Sequence, residues 1–118
     1  MADFPTSVIE IRGTSDNWGP FNFDISNRMP SGDTVTSFTT KAYVGTVQPT
    51  DTLTSFTEIS ANLIESNPAP SNTDTILSIY MKYPGNTYKG ESITLVFDVT
   101  FTNHSGVHPY YFHHVKIQ

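Results

Sequence analysis

Between Ser92 and Thr102 every odd position is apolar: Ile93, Leu95, Phe97, Val99 and Phe101. The even positions hold Ser92, Thr94, Asp98, Thr100 and Thr102, with Val96 as the one exception. A period of two sends successive side chains to opposite faces, so this run is a strand with one face in a core. One strand cannot bury that face, so the fold needs a second layer. Composition says what that layer is made of. The chain has 118 residues, with 17 Thr and 12 Ser, 13% aromatic and only 14% charged. Thr, Val, Ile, Phe and Tyr fit a pleated, half-buried surface. The good helix formers Ala, Leu, Glu, Lys and Arg are too scarce for a helical bundle. Low charge with many aromatics also excludes a disordered chain. A single domain of this length hides roughly two thirds of its unfolded surface and needs no staples.

Other segments repeat the pattern. Phe21, Phe23 and Ile25 alternate with Asn22, Asp24 and Ser26, and predict a strand. Met29 to Asp33 is turn chemistry. Thr34 to Val44 reads as a long strand with broken alternation: Phe38, Ala42 and Val44 share one face, whereas Val35 and Tyr43 share the other. A bulge or a change of sheet would reconcile them. Ser55 to Glu65 is ambiguous. Ser55 and Glu58 have capping-box spacing, and Phe56, Ile59 and Leu63 fit a helix face, yet Ile59, Ala61 and Leu63 alternate. A strand running into a short turn is the favoured expectation. Thr75 to Tyr83 predicts a strand with Leu77, Ile79, Met81 and Tyr83 facing one way. Asn103 to Gly106 is a hairpin loop, and His108 to Ile117 returns with Tyr111, Val115 and Ile117 on one face. Six or seven strands in about 100 residues describe an all-β, antiparallel sandwich. The cysteine pair and core Trp of antibody domains are missing, and Trp18 lies in a turn.

Several chemistries are disfavoured. Six Lys and Arg against 11 Asp and Glu give a net charge of −5, with no basic run to meet phosphates, so no nucleic-acid partner is expected. With no cysteine, thiolate chemistry and Cys-ligated zinc are excluded. The first residues have neither a basic stretch nor an apolar run, so no membrane association and a cytoplasmic site of synthesis are expected. His104, His108, His113 and His114 are the candidate metal ligands. Adjacent His113 and His114 point to opposite strand faces, one in and one out, and no carboxylate lies between His104 and His108. No metal site and no cofactor are therefore expected. The acids Asp24, Asp33, Asp51, Glu58, Glu65, Asp74, Glu91 and Asp98 are spread singly, with Asp33, Asp51 and Asp74 in turns where Asp serves the backbone. No nucleophile-elbow, zinc-protease or phosphate-loop motif occurs, so no enzyme and no catalytic residues are expected. Asn103-His104-Ser105 fits the glycosylation pattern but has no secretory signal beside it. Trp18, Tyr43, Tyr80, Tyr88, Tyr110 and Phe112 look too many for one core, and suit either a contact surface or the ends of a sandwich.

Gly32-Asp33-Thr34-Val35-Thr36-Ser37 opens a strand, and Ile64-Glu65-Ser66-Asn67-Pro68 precedes the strand at 75–83. Gly85 and Tyr88 follow, then Val99-Thr100-Phe101-Thr102, Gly106, and a last strand closing on Val115 and Ile117. This order, over about residues 32–118, resembles the small immunoglobulin-like virion proteins of tailed bacteriophages. The sequence departs from that pattern where Lys89-Gly90-Glu91 intervenes after Tyr88, and before residue 20. The resemblance implies an immunoglobulin-like sandwich of about seven strands. It implies a structural virion protein that binds the capsid, as a decoration or stabilising protein, or the head–tail surface, as a tail adaptor. The partners would be a capsid or tail protein of the same virion, with a homo-oligomer as a further option. The alternative is an adhesin-like or carbohydrate-binding sandwich that attaches the particle to a host cell.

The expected division is an N-terminal arm with a short strand at 1–19 and the sandwich at 20–118. The arm carries Phe4, Val8, Ile9, Ile11 and Trp18, the expected partner contacts. Apolar residues in a detached segment need a surface. The arm either covers this chain's own sheet edge or adds a strand to a neighbouring subunit, and the second outcome is favoured here because weak contacts multiply around a symmetric particle.

Overall fold

In the computed structural model, which describes residues 7–13 and 19–118, two packed sheets enclose one core. The strands are β1 (Ile9–Ile11), β2 (Phe21–Asp24), β3 (Val35–Val44), β4 (Ser71–Asn72), β5 (Ile76–Ile79), β6 (Ser92–Phe101) and β7 (Val107–Ile117). The larger sheet has the order β1-β7-β6-β3 and the smaller one β2-β5-β4. The fold is mostly β, as the alternation requires. All pairs are antiparallel except the first strand, which runs parallel to the last. Among the described residues no helix is long and apolar enough to cross a membrane.

The alternating run lies where its period put it. Ile93, Leu95, Phe97, Val99 and Phe101 are all buried, and β6 is flanked on both sides by long strands. Phe23 from the smaller sheet meets Phe97 at 4.7 Å and Phe112 at 5.1 Å between ring centroids, in tilted and edge-on contacts. Such geometries place ring edges on ring faces and add to the burial of area. Leu77, Ile79 and Met81 close the other side, although β5 itself is shorter than the predicted strand.

Two bulges decide which residues reach the core. In β3 the register slips by one between Val35 and Ser37. The extra residue turns Val35 onto the face of Phe38 and Ala42, and leaves Tyr43 on the outer face. The broken alternation of Thr34 to Val44 is thereby explained. In β7, Val115 pairs with Ile93 but Phe112 pairs with Leu95, so His113 and His114 together oppose Thr94. This bulge corrects two expectations. Phe112, not Tyr111, joins Val115 and Ile117 in the core. Neither histidine points inward: His113 is half-buried and His114 exposed. Strict period-two counting cannot survive an extra residue.

Ser55 to Glu65 also differs from the expected strand. It has a 3-10 turn at Leu53–Ser55, a single bridge from Glu58 to Tyr43, and one helical turn, α1, at Ser60–Leu63. Ser55 caps nothing: Ile59 precedes the helical turn, and Ser60 instead donates to Glu58 and accepts the Ala42 amide. The 45–56 loop folds over the outer face of the larger sheet. Val47, Leu53 and Phe56 pack there with Tyr43, Val96 and Tyr111. Thr94 Oγ1 fastens it, donating to the Gly45 carbonyl at 2.7 Å and accepting the Val47 amide at 3.0 Å. This explains why Val96 and Thr94 are buried on the polar side of β6.

Candidate functional site

The densest group of polar side chains lies where the 25–34 connection meets the β6–β7 hairpin. Asp33 is at its centre, with a side chain only 1% exposed. Its carboxylate accepts the Thr34 amide at 2.8 Å, the Asn103 amide at 3.0 Å and the Asn103 side-chain amide at 3.2 Å. His104 Nδ1 lies 2.5 Å from the other carboxylate oxygen. Above these, Thr34 and Thr102 join through their hydroxyls at 2.7 Å. Burial pushes the Asp33 carboxyl up. The hydrogen bond from His104, those from the Thr34 and Asn103 amides and the charge of the His104 ring outweigh it and hold the carboxyl below its ordinary value. A turn Asp that serves the backbone was legible in the sequence. Its reach across some 70 residues to the hairpin was not, because it depends on which loops share an end of the sandwich.

A carboxylate does reach His104, from another loop. The pair has the form of a general base with its orienting acid. Together with the Asn103 contacts it ties the β6–β7 hairpin to the 25–34 connection. His108 faces the Ser105 carbonyl and the Phe101 ring, and His113 Nε2 meets the Val47 carbonyl at 2.7 Å. Among the described residues no three of His, Asp and Glu stand close enough to share a metal ion. The Asn103 side-chain amide is spent on Asp33, so the glycosylation pattern is part of this clamp.

The described residues of the arm do not form one exposed patch. Ile9, Glu10 and Ile11 pair with Val115, Lys116 and Ile117 of the same chain. Ile11 is 1% exposed and belongs to the core, and Ile9 packs against it. Ile11 is closed to a partner, which corrects the expectation for it, whereas Ile9 is half-buried. The strand of the arm thus covers this chain's own sheet edge. Val8 is 55% exposed and stays available. Phe4 and Trp18 lie outside the described residues. Of the other aromatics, Tyr43 and Phe112 are buried, Tyr80 is half-buried, and Tyr88 and Tyr110 are half-buried at the margins of the core.

No protein-family model, no curated protein and no solved structure matches this chain.

Proposed function

We propose that the chain is an immunoglobulin-like, non-enzymatic structural module of a tailed-bacteriophage virion that binds the capsid or the head–tail surface. The observation that supports this is the division of strands between the sheets. In constant-type immunoglobulin sandwiches the first, second, fourth and fifth strands form one sheet, and the third, sixth and seventh the other. Here β2, β5 and β4 form one sheet, and β3, β6 and β7 lie together in the other. Only β1 has moved, from the edge beside β2 to the edge beside β7. Of the turn residues behind the resemblance, Asp33 lies just ahead of β3 and Gly106 in the β6–β7 hairpin. The titratable cluster at Asp33 ties loops together, which suits a rigid module presented in many copies.

The test is co-sedimentation of purified protein with particles of the virus whose genome encodes it, run beside a glycan array. Saturable binding to particles and silence on the array is the expected result. A saccharide that binds, with no affinity for particles, would transfer the assignment to a host-attachment module.

A further inference from the structure

The outer edge of β3 is closed at both ends and open in the middle. The Gly45 amide donates to Ser92 at 2.7 Å, so beyond the bulge the odd-numbered residues of β3 bond to β6 and the even-numbered ones, from Phe38 on, face away. At the upper end these outward groups are taken. Val44 N–H donates to the Thr57 carbonyl, Ala42 C=O accepts the Ile59 amide, and Ala42 N–H donates to Ser60 Oγ. At the lower end Val35 N–H donates to the Asp74 carbonyl and Val35 C=O accepts the Asn72 side chain. Between them, the N–H and C=O groups of Phe38 and Thr40 have no partner among the described residues. Unpaired edge groups are a template for another strand.

We propose that the Phe38–Thr40 stretch of β3 is a docking edge for a short extended segment of a partner protein, added to the sheet as a strand. The register sets its chemistry. Residues opposite Phe38 and Thr40 share their inward face, beside the half-buried Phe38 ring, and are apolar. The residue opposite Thr39 faces outward next to Lys41, which is exposed and has no ion pair among the described residues, and is acidic. The occupant is therefore an apolar–acidic–apolar triplet. A second copy of β3 does not fit. Antiparallel pairing of two such edges would bring the 72–74 segment of one copy onto the space filled by 57–60 of the other.

Amide exchange of the free protein comes first. Phe38 and Thr40 should exchange faster than Thr39 and Lys41, and protection of both would show a closed edge and overturn the proposal. The probe is the capped peptide Thr-Val-Asp-Val-Thr, titrated against labelled protein. Shifts confined to residues 36–42, with at least tenfold slower exchange at Phe38 and Thr40, are expected. Lys41→Glu should weaken binding roughly 2- to 5-fold, and less at high salt, as for an exposed ion pair. Thr40→Pro, which removes one edge-facing N–H, should abolish it while the melting transition stays cooperative. An absence of binding by the wild-type protein, or equal binding by a backbone N-methylated peptide, would overturn the proposal. So would self-association that Thr40→Pro removes.

Discussion

Phe97 and Thr100 lie three residues apart on β6 and face opposite ways. Phe97 is fully enclosed by Phe23, Phe38 and their neighbours. Phe97→Ala should cost about 3–5 kcal/mol in urea unfolding, and Thr100→Ala less than about 1 kcal/mol. Equal costs would reverse the orientation of the strand. Asp33 makes a different prediction, in pH. Its carboxyl is held below the ordinary value in the folded chain, so as pH falls the unfolded chain takes up the proton first. Stability from this group is complete above about pH 4 and is lost as pH drops through the lower, folded value. Asp33→Asn should flatten that part of a melting-temperature profile between about pH 2 and 5. An unchanged acid limb would mean that the clamp contributes nothing. Pro109 is informative at the same scale. In β7 the residues that bond to β6 alternate with Pro109, so its missing N–H faces the edge that β1 does not reach. Pro109→Val restores that donor and should increase concentration-dependent self-association in sedimentation, with little change in the melting temperature.

At the scale of the element, the bulge at His113 and His114 sets the facing of β7. Deleting His114 removes the extra residue. Phe112 and Val115 then stand two residues apart and still both face the core, across a regular ladder with β6. The deletion should keep a cooperative melt close to that of His114→Ala, which removes only an exposed ring. Loss of the cooperative melt on deletion alone would show that the bulge itself is needed.

For the whole molecule, the first strand is a component of the sandwich. Ile11→Ala should cost about 2–4 kcal/mol, within the range of buried aliphatic truncations, and Val8→Ala less than about 0.5 kcal/mol. Comparable small effects at both positions would return the strand to the status of a detached arm. The edges are also managed at this scale. β1 covers the end of β7, Pro109 blunts the rest, and segments 57–60 and 72–74 fence β3. On β3 a short opening remains at Phe38 and Thr40 among the described residues.

The sequence alone determined the layered β character, the strand at Ser92–Thr102, the turns around Met29–Asp33 and Asn103–Gly106, and the backbone-serving role of Asp33. Each rests on a local rule: a period of two, or the dihedral preferences of Gly, Pro, Asn and Asp. Only the tertiary structure decided the rest. The bulges in β3 and β7, the burial of Phe112 in place of Tyr111, and the covering of Val96 by the 45–56 loop depend on pairing between distant strands. So do the capture of His104 by Asp33 and the return of Ile9–Ile11 to the chain's own edge. Periodicity fixes which residues share a face. Which strand lies beside that face, and where the register slips, is settled only when all the strands compete for one core.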